Sequence, residues 1–222
     1  MAITLLQKLG AAALTATYAN PTTAGSTLIA VLRAQGVLGG LQDTTNGSWT
    51  LAASATGNLQ QLWFFSGSAG GVTPTVERSS GSNNIQDIVI TEWSGITLSA
   101  PLNAANSGQG TNNPYATASI TTTKAACLLI GGVSNSTANN LTNTPGAGWA
   151  DVGANGGGNA FMSFQIVSAL GTFNNNGSLS NAATTWEATV AAFVGAVQPA
   201  SGGQSGLYLA LDASLRNSGL RH

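Results

Sequence analysis

The chain has 222 residues, of which 6% are charged: six Lys and Arg against seven Asp and Glu, with a single His at the last position. A formal net charge of −1 gives no reason to bind nucleic acid or an anionic membrane, which require clustered Lys or Arg. Hydrophobic residues make up 43%, too many for a disordered polar chain, and the length suffices for one sizeable core.

The first ten residues, Met1-Ala-Ile-Thr-Leu-Leu-Gln-Lys-Leu-Gly10, do not have the order of a secretion signal, because Lys8 follows the first apolar residues. No run approaches the roughly 20 apolar residues that span a bilayer. Synthesis in a cytoplasm is expected, with retention there or release by lysis. Residues 1–12 are set apart as an N-terminal segment used in assembly. Short strands are predicted at 12–19, 27–33, 48–53, 60–66, 85–93, 116–122, 126–133, 148–152, 161–168 and 185–194, each bounded by Gly, Asn, Pro or Ser. Leu128-Leu129-Ile130 is apolar on both faces and belongs at a sheet centre. Thr45-Asn46-Gly47 reads as a tight hairpin, since Asn and Gly accept positive φ. Residues 98–114 read as a long loop and Glu77-Arg78 as a surface turn. Together these elements predict an all-β fold: a two-sheet antiparallel sandwich, jelly-roll-like, over residues 13–197.

Composition breaks at Gln198-Pro-Ala-Ser-Gly-Gly-Gln-Ser-Gly206, a flexible linker over 198–206. Residues 207–222 follow as a C-terminal docking arm. As a helix, Leu207, Leu211 and Leu215 share a stripe and Asp212 precedes Arg216 by four; as a strand, Leu207, Leu209 and Leu211 alternate. Such a segment is too short to fold alone and needs a surface, either its own sandwich or a neighbouring subunit. In the second case Leu207, Tyr208, Leu209, Leu211, Leu215, Arg216 and Arg221 are the candidate partner-binding residues.

Catalytic equipment is sparse. Glu92 and Glu187, each beside a Trp, are the best candidates for a glycosidase-type acid pair. Pleat parity argues against it: Glu92 shares a face with Ile88 and Ile90, as a rim or buried acid would, and Glu187 shares one with Thr185 and Thr189, a face expected to be exposed. His222 cannot complete a Ser-His-Asp arrangement from a flexible tail. Asp43, Asp87 and Asp151 lack calcium-loop spacing, and no Gly-Gly pair fits a nucleotide fingerprint. No metal, cofactor or catalytic residue is expected. Cys127 reads as a small buried hydrophobe, and Trp49, Trp63, Trp93, Trp149 and Trp186 as core before sugar platform.

The run Asp87-Ile-Val-Ile-Thr-Glu-Trp-Ser-Gly-Ile96, the step Ala100-Pro-Leu102, the Thr-rich 116–123 and Cys127-Leu-Leu-Ile-Gly-Gly132 resemble a family of β-sandwich domains in tailed-phage virion proteins and some multidomain bacterial surface proteins. Residues 24–31 and Pro145-Gly-Ala-Gly-Trp149 fit the same pattern, and Trp93 stands where the family usually has Tyr. The resemblance covers roughly residues 15–195. It implies a noncatalytic virion structural protein similar to capsid decoration, or cement, proteins, which sit on the outer shell and clamp neighbouring capsomers, often as trimers. The major capsid protein, or another virion protein, is the implied partner. A rival expectation is a carbohydrate-binding or host-adhesion module of a tail or fibre, which needs coplanar exposed aromatics.

Overall fold

A segment such as Leu28-Ile-Ala-Val-Leu32 is apolar at consecutive positions, so a strand made from it needs cover on both faces. The computed structural model, which describes residues 2–36, 38–57, 59–81, 83–135, 141–156, 158–180 and 185–196, provides that cover. Its core is two five-stranded antiparallel sheets stacked face to face. Strands β1 (Thr4–Ala11), β2 (Thr27–Ala34), β3 (Thr50–Ser54), β4 (Gln60–Ser66) and β5 (Ile85–Ser94) form the first, in the order β1-β5-β2-β4-β3. Strands β6 (Leu102–Gly110), β7 (Cys127–Asn135), β8 (Ala150–Gly156), β9 (Ala160–Val167) and β10 (Trp186–Val194) form the second, in the order β6-β10-β7-β9-β8.

These two orders are the same order. Each half of the chain builds one large sheet and covers its outer face with smaller pairings. In the first half one small sheet runs Ala16–Thr17, Thr75–Ser80, Gly40–Asp43, Gly47–Ser48; in the second a three-stranded sheet runs Tyr115–Ala116, Asn176–Leu179, Asn143–Pro145, and a separate two-stranded one pairs Ile120–Thr121 with Thr172–Phe173. The chain therefore passes back and forth between two sheets in each half, with the first large strand beside the last, which is the winding of a jelly roll.

The repetition extends to single residues. Thr50 lies opposite Phe64 and the register slips after Leu51; Ala150 lies opposite Phe164 and the register slips after Asp151. A second slip follows Leu5 in β1 and Leu102 in β6. The buried Thr22 amide donates to Val72 at 2.8 Å, and the buried Thr122 amide to Gly171 at 2.9 Å. Leu41 and Leu141, Trp49 and Trp149, Phe64 and Phe164, and Gly95 and Gly195 stand one hundred positions apart.

Between the large sheets, Ile29, Val31, Leu62, Phe64, Val89 and Trp93 of the first half meet Leu128, Ile130, Met162, Ala191 and Phe193 of the second. Phe64 packs edge-on against Phe193 at 5.3 Å and 72°, and Trp93 packs edge-on against Phe164 at 5.2 Å and 62°. The two contacts stand at matching positions of the two sheets, with Trp93 in the first half where the second has Phe193. The opposite faces build separate outer cores, with Leu28, Leu32, Leu41, Trp49, Trp63 and Ile88 in the first half, and Cys127, Leu129, Val190 and Ala192 in the second. Both large sheets are thus covered on both sides, which explains the unbroken burial from Thr27 to Leu32 and along the whole of β7.

Three expectations change. Thr4–Ala11, expected in a separate segment, is a full edge strand paired with β5, and its alternating burial follows from one covered face. Leu102–Gly110, expected as loop, is the matching edge strand on β10. Its Asn, Ser and Gly carry no strand signal, and the neighbouring strand supplies the order. Glu77-Arg78, expected as a turn, lies within Thr75–Ser80. The expected hairpin is present: Asp43 pairs with Gly47, whose φ is 89°, and Asp43 Oδ1 accepts the amides of Thr45 and Asn46. The linker and the arm lie outside the described residues.

Candidate functional site

A chain with so few charges reveals its chemistry by where it places them. Glu92 sits near the end of β5, opposite Gln7 on one side and Leu28 on the other, and is 1% exposed. Its carboxylate accepts the Gln7 side-chain amide and the Thr23 backbone amide, both at 2.6 Å. Gln7 in turn exchanges hydrogen bonds with the backbone of Asn20, so the acid ties β1 to the loop before β2. This matches the expectation of a buried, hydrogen-bonded acid at a strand end.

Glu187 does not match its expectation. The face it shares with Thr189 looked solvated because both are polar, yet Glu187 is 5% exposed and Thr189 fully buried. That face lies between the large sheets. Glu187 reaches from β10 into the first half and accepts the backbone amides of Leu59 at 2.9 Å and Gln60 at 3.2 Å. Gly57 leaves room for it, since a Cβ there would overlap the carboxylate.

Asp87 holds the corresponding place on β5. It pairs with Arg33 at 3.2 Å and hydrogen-bonds Asn159, the residue before β9. Burial pushes the Asp87 carboxyl above its ordinary value, while the Arg33 hydrogen bond and charge and the Asn159 hydrogen bond pull the other way. Asp43 accepts the indole N–H of Trp49 at 2.8 Å besides its turn amides. Glu77 accepts from Gln42, and Asp151 from the Gly153 amide. Every acid among the described residues is therefore engaged as an acceptor.

The structure does not bring Glu92 and Glu187 together: they lie in different sheets and share no hydrogen-bond partner. A buried carboxylate already holding two N–H donors is poorly placed to deliver a proton to a substrate. Among the described residues no three His, Cys, Asp or Glu side chains stand close enough to hold a metal ion. Cys127 is buried with its S–H toward the Lys124 carbonyl, and burial pushes its thiol up. Trp49, Trp63, Trp93 and Trp186 are buried, and Trp149 is half-buried with its N–H on the Asn174 carbonyl, so the indoles form no exposed row.

One feature escapes a reading of the sequence. The segments leaving β5 and β10 pair across the internal twofold: Ile96 bridges Gly195, and the Ala196 amide donates to the Gly95 carbonyl at 2.7 Å. Gly95 also packs against the backbone of Ala2. Beside them lies a recess of about 270 Å³, lined by residues 23–26, 94–96 and Ala196. Only the pairing of distant strands creates it, and no local signal marks it. Leu207, Tyr208, Leu209, Leu211, Leu215, Arg216 and Arg221, the expected partner-binding residues, lie outside the described residues. Comparison with protein-family models, curated proteins and solved structures finds no match to this chain.

Proposed function

We propose that the chain is a noncatalytic phage virion structural protein, a capsid decoration protein that binds the outer shell and stabilises contacts between capsomers. The observation that carries this reading is a body whose large sheets are buried on both faces and whose described acids are all held by donors of the body itself. In the sequence the Gly- and Ser-rich 198–206 and the apolar 207–222 have the composition of a linker and a docking peptide. The placement of the acids supports the same reading, because each holds backbone or side-chain donors of the body itself. The major capsid protein or another virion protein is the partner, and a homo-oligomer, with a trimer favoured, is the form proposed on the shell, the free chain being a monomer.

Co-sedimentation with undecorated shells tests the proposal, using the intact chain and one ending at Gln198. The intact chain pellets with the shells, and the shortened chain remains in the supernatant at the same concentration. Equal pelleting of both removes the arm from the account. Failure of the intact chain to pellet removes the decoration role.

A further inference from the structure

The interface between the halves is built twice from one pattern. Phe64 of β4 meets Phe193 of β10, and Phe164 of β9 meets Trp93 of β5. Glu187 crosses to the amides of Leu59 and Gln60 at the start of β4, and Asp87 crosses to Asn159 at the start of β9. Each half thus offers the other the face it receives, which is the isologous arrangement of a twofold dimer. Only residues 97–101 make it intramolecular. That connection is short and clamped on one residue: the Thr97 amide donates to the Val194 carbonyl at 2.9 Å, and the Val194 amide donates to the Pro101 carbonyl at 2.8 Å. Within it Ala100 has a φ of 47°, a conformation unfavourable for a side chain bearing a Cβ.

We infer that the chain is a fused dimer: the inner face of each large sheet is a self-complementary docking face, and the partner it fits is the other half of this fold, whether from the same chain or from a second copy. Two chains can therefore exchange halves. The contacts are the same in both forms, and the connection decides between them by setting the effective concentration of one half around the other. A tight hinge loop shifts that choice toward exchange. This inference concerns stoichiometry and stands whether or not the protein binds a shell.

Deleting Ser99 and Ala100 from the full chain, followed by light scattering after size-exclusion chromatography, tests it. Leu98 alone is then left between Thr97 and Pro101 to turn the chain back onto Val194, and the protein runs at the mass of two 22.1 kDa chains. Inserting Gly-Gly-Ser after Ala100 gives the mass of one. The dimer persists when the chain ends at Gln198, which separates exchange of halves from contact through the arm. A deletion variant that stays monomeric and native, or a dimer lost with the arm, overturns the inference. Should the deletion prevent folding, the unaltered chain refolded from denaturant at rising concentration decides: a growing dimer fraction supports exchange, and monomer at every concentration overturns it.

Discussion

Asp87 and Glu187 occupy the same place in the two halves and reach across one interface in opposite directions. Asp87 goes to Asn159 ahead of β9, and Glu187 goes to Leu59 and Gln60 ahead of β4. Neither has the surroundings of a catalytic acid facing a cleft. Both act as latches that hold the start of the opposite half's fourth large strand.

Removing a latch strands the donors it held. Glu187→Ala leaves the buried Gln60 amide and the half-buried Leu59 amide without their acceptor, at a cost of about 2–4 kcal/mol. Gly57→Ala is also destabilising, because the new Cβ overlaps the carboxylate. The two losses are not additive: the double variant is more stable than their sum requires, since one change removes the group the other collides with. Urea denaturation of the four proteins measures this, and strict additivity would refute the contact.

The two aromatic contacts across the sheets should behave as a matched pair. Phe64→Ala costs about 3–5 kcal/mol and Phe164→Ala less, because Phe164 is only half-buried. Double-mutant cycles for Phe64 with Phe193 and for Phe164 with Trp93 each yield a coupling of about 0.5–1.5 kcal/mol. A coupling in one cycle and none in the other would break the internal symmetry.

Asp87 gives a pH signature of defined sign. Its carboxyl is raised above the ordinary 3.8, so the folded chain binds that proton more tightly than the unfolded chain does. Its contribution to stability is complete below the ordinary value and is lost as pH rises through the raised one. Compared with Asp87→Asn, which does not titrate, the natural chain therefore loses ground across that interval and none above it. A difference that instead grows in favour of the natural chain with rising pH would show the Arg33 pair outweighing burial.

Cys127 is buried, and its thiol is pushed up by that burial. A thiol-specific reagent should leave the native chain unlabelled on the timescale that labels free cysteine. Labelling then follows the opening of the fold, and its rate rises with denaturant. Immediate labelling in buffer would place the thiol at the surface.

Much of this architecture is legible from local pattern. Strands β2, β4, β5, β7, β9 and β10 announce themselves through Val, Ile, Leu and aromatic residues between turn residues, and Asn46-Gly47 announces its hairpin. Edge strands β1 and β6 do not, because half of β1 faces outward and β6 is mostly Asn, Ser, Ala and Gly, with its ladder supplied by β10. The burial of Glu187 escapes local pattern for a related reason. Alternation tells which residues share a face, but a second sheet can cover a polar face as readily as an apolar one. The correspondence of the two halves leaves few identities in a Gly-, Ala- and Thr-rich chain, such as Leu41 with Leu141 and Trp49 with Trp149. Register slips after Leu51 and Asp151 make it plain only once the strands are paired.

Shell stability is the most direct measure of the proposed role. Undecorated shells are saturated with the intact chain, and the temperature at which they release their subunits is recorded by light scattering. The account predicts saturable binding and a higher release temperature, with no gain from the chain ending at Gln198. Release at an unchanged temperature, with the chain left in solution, would contradict it.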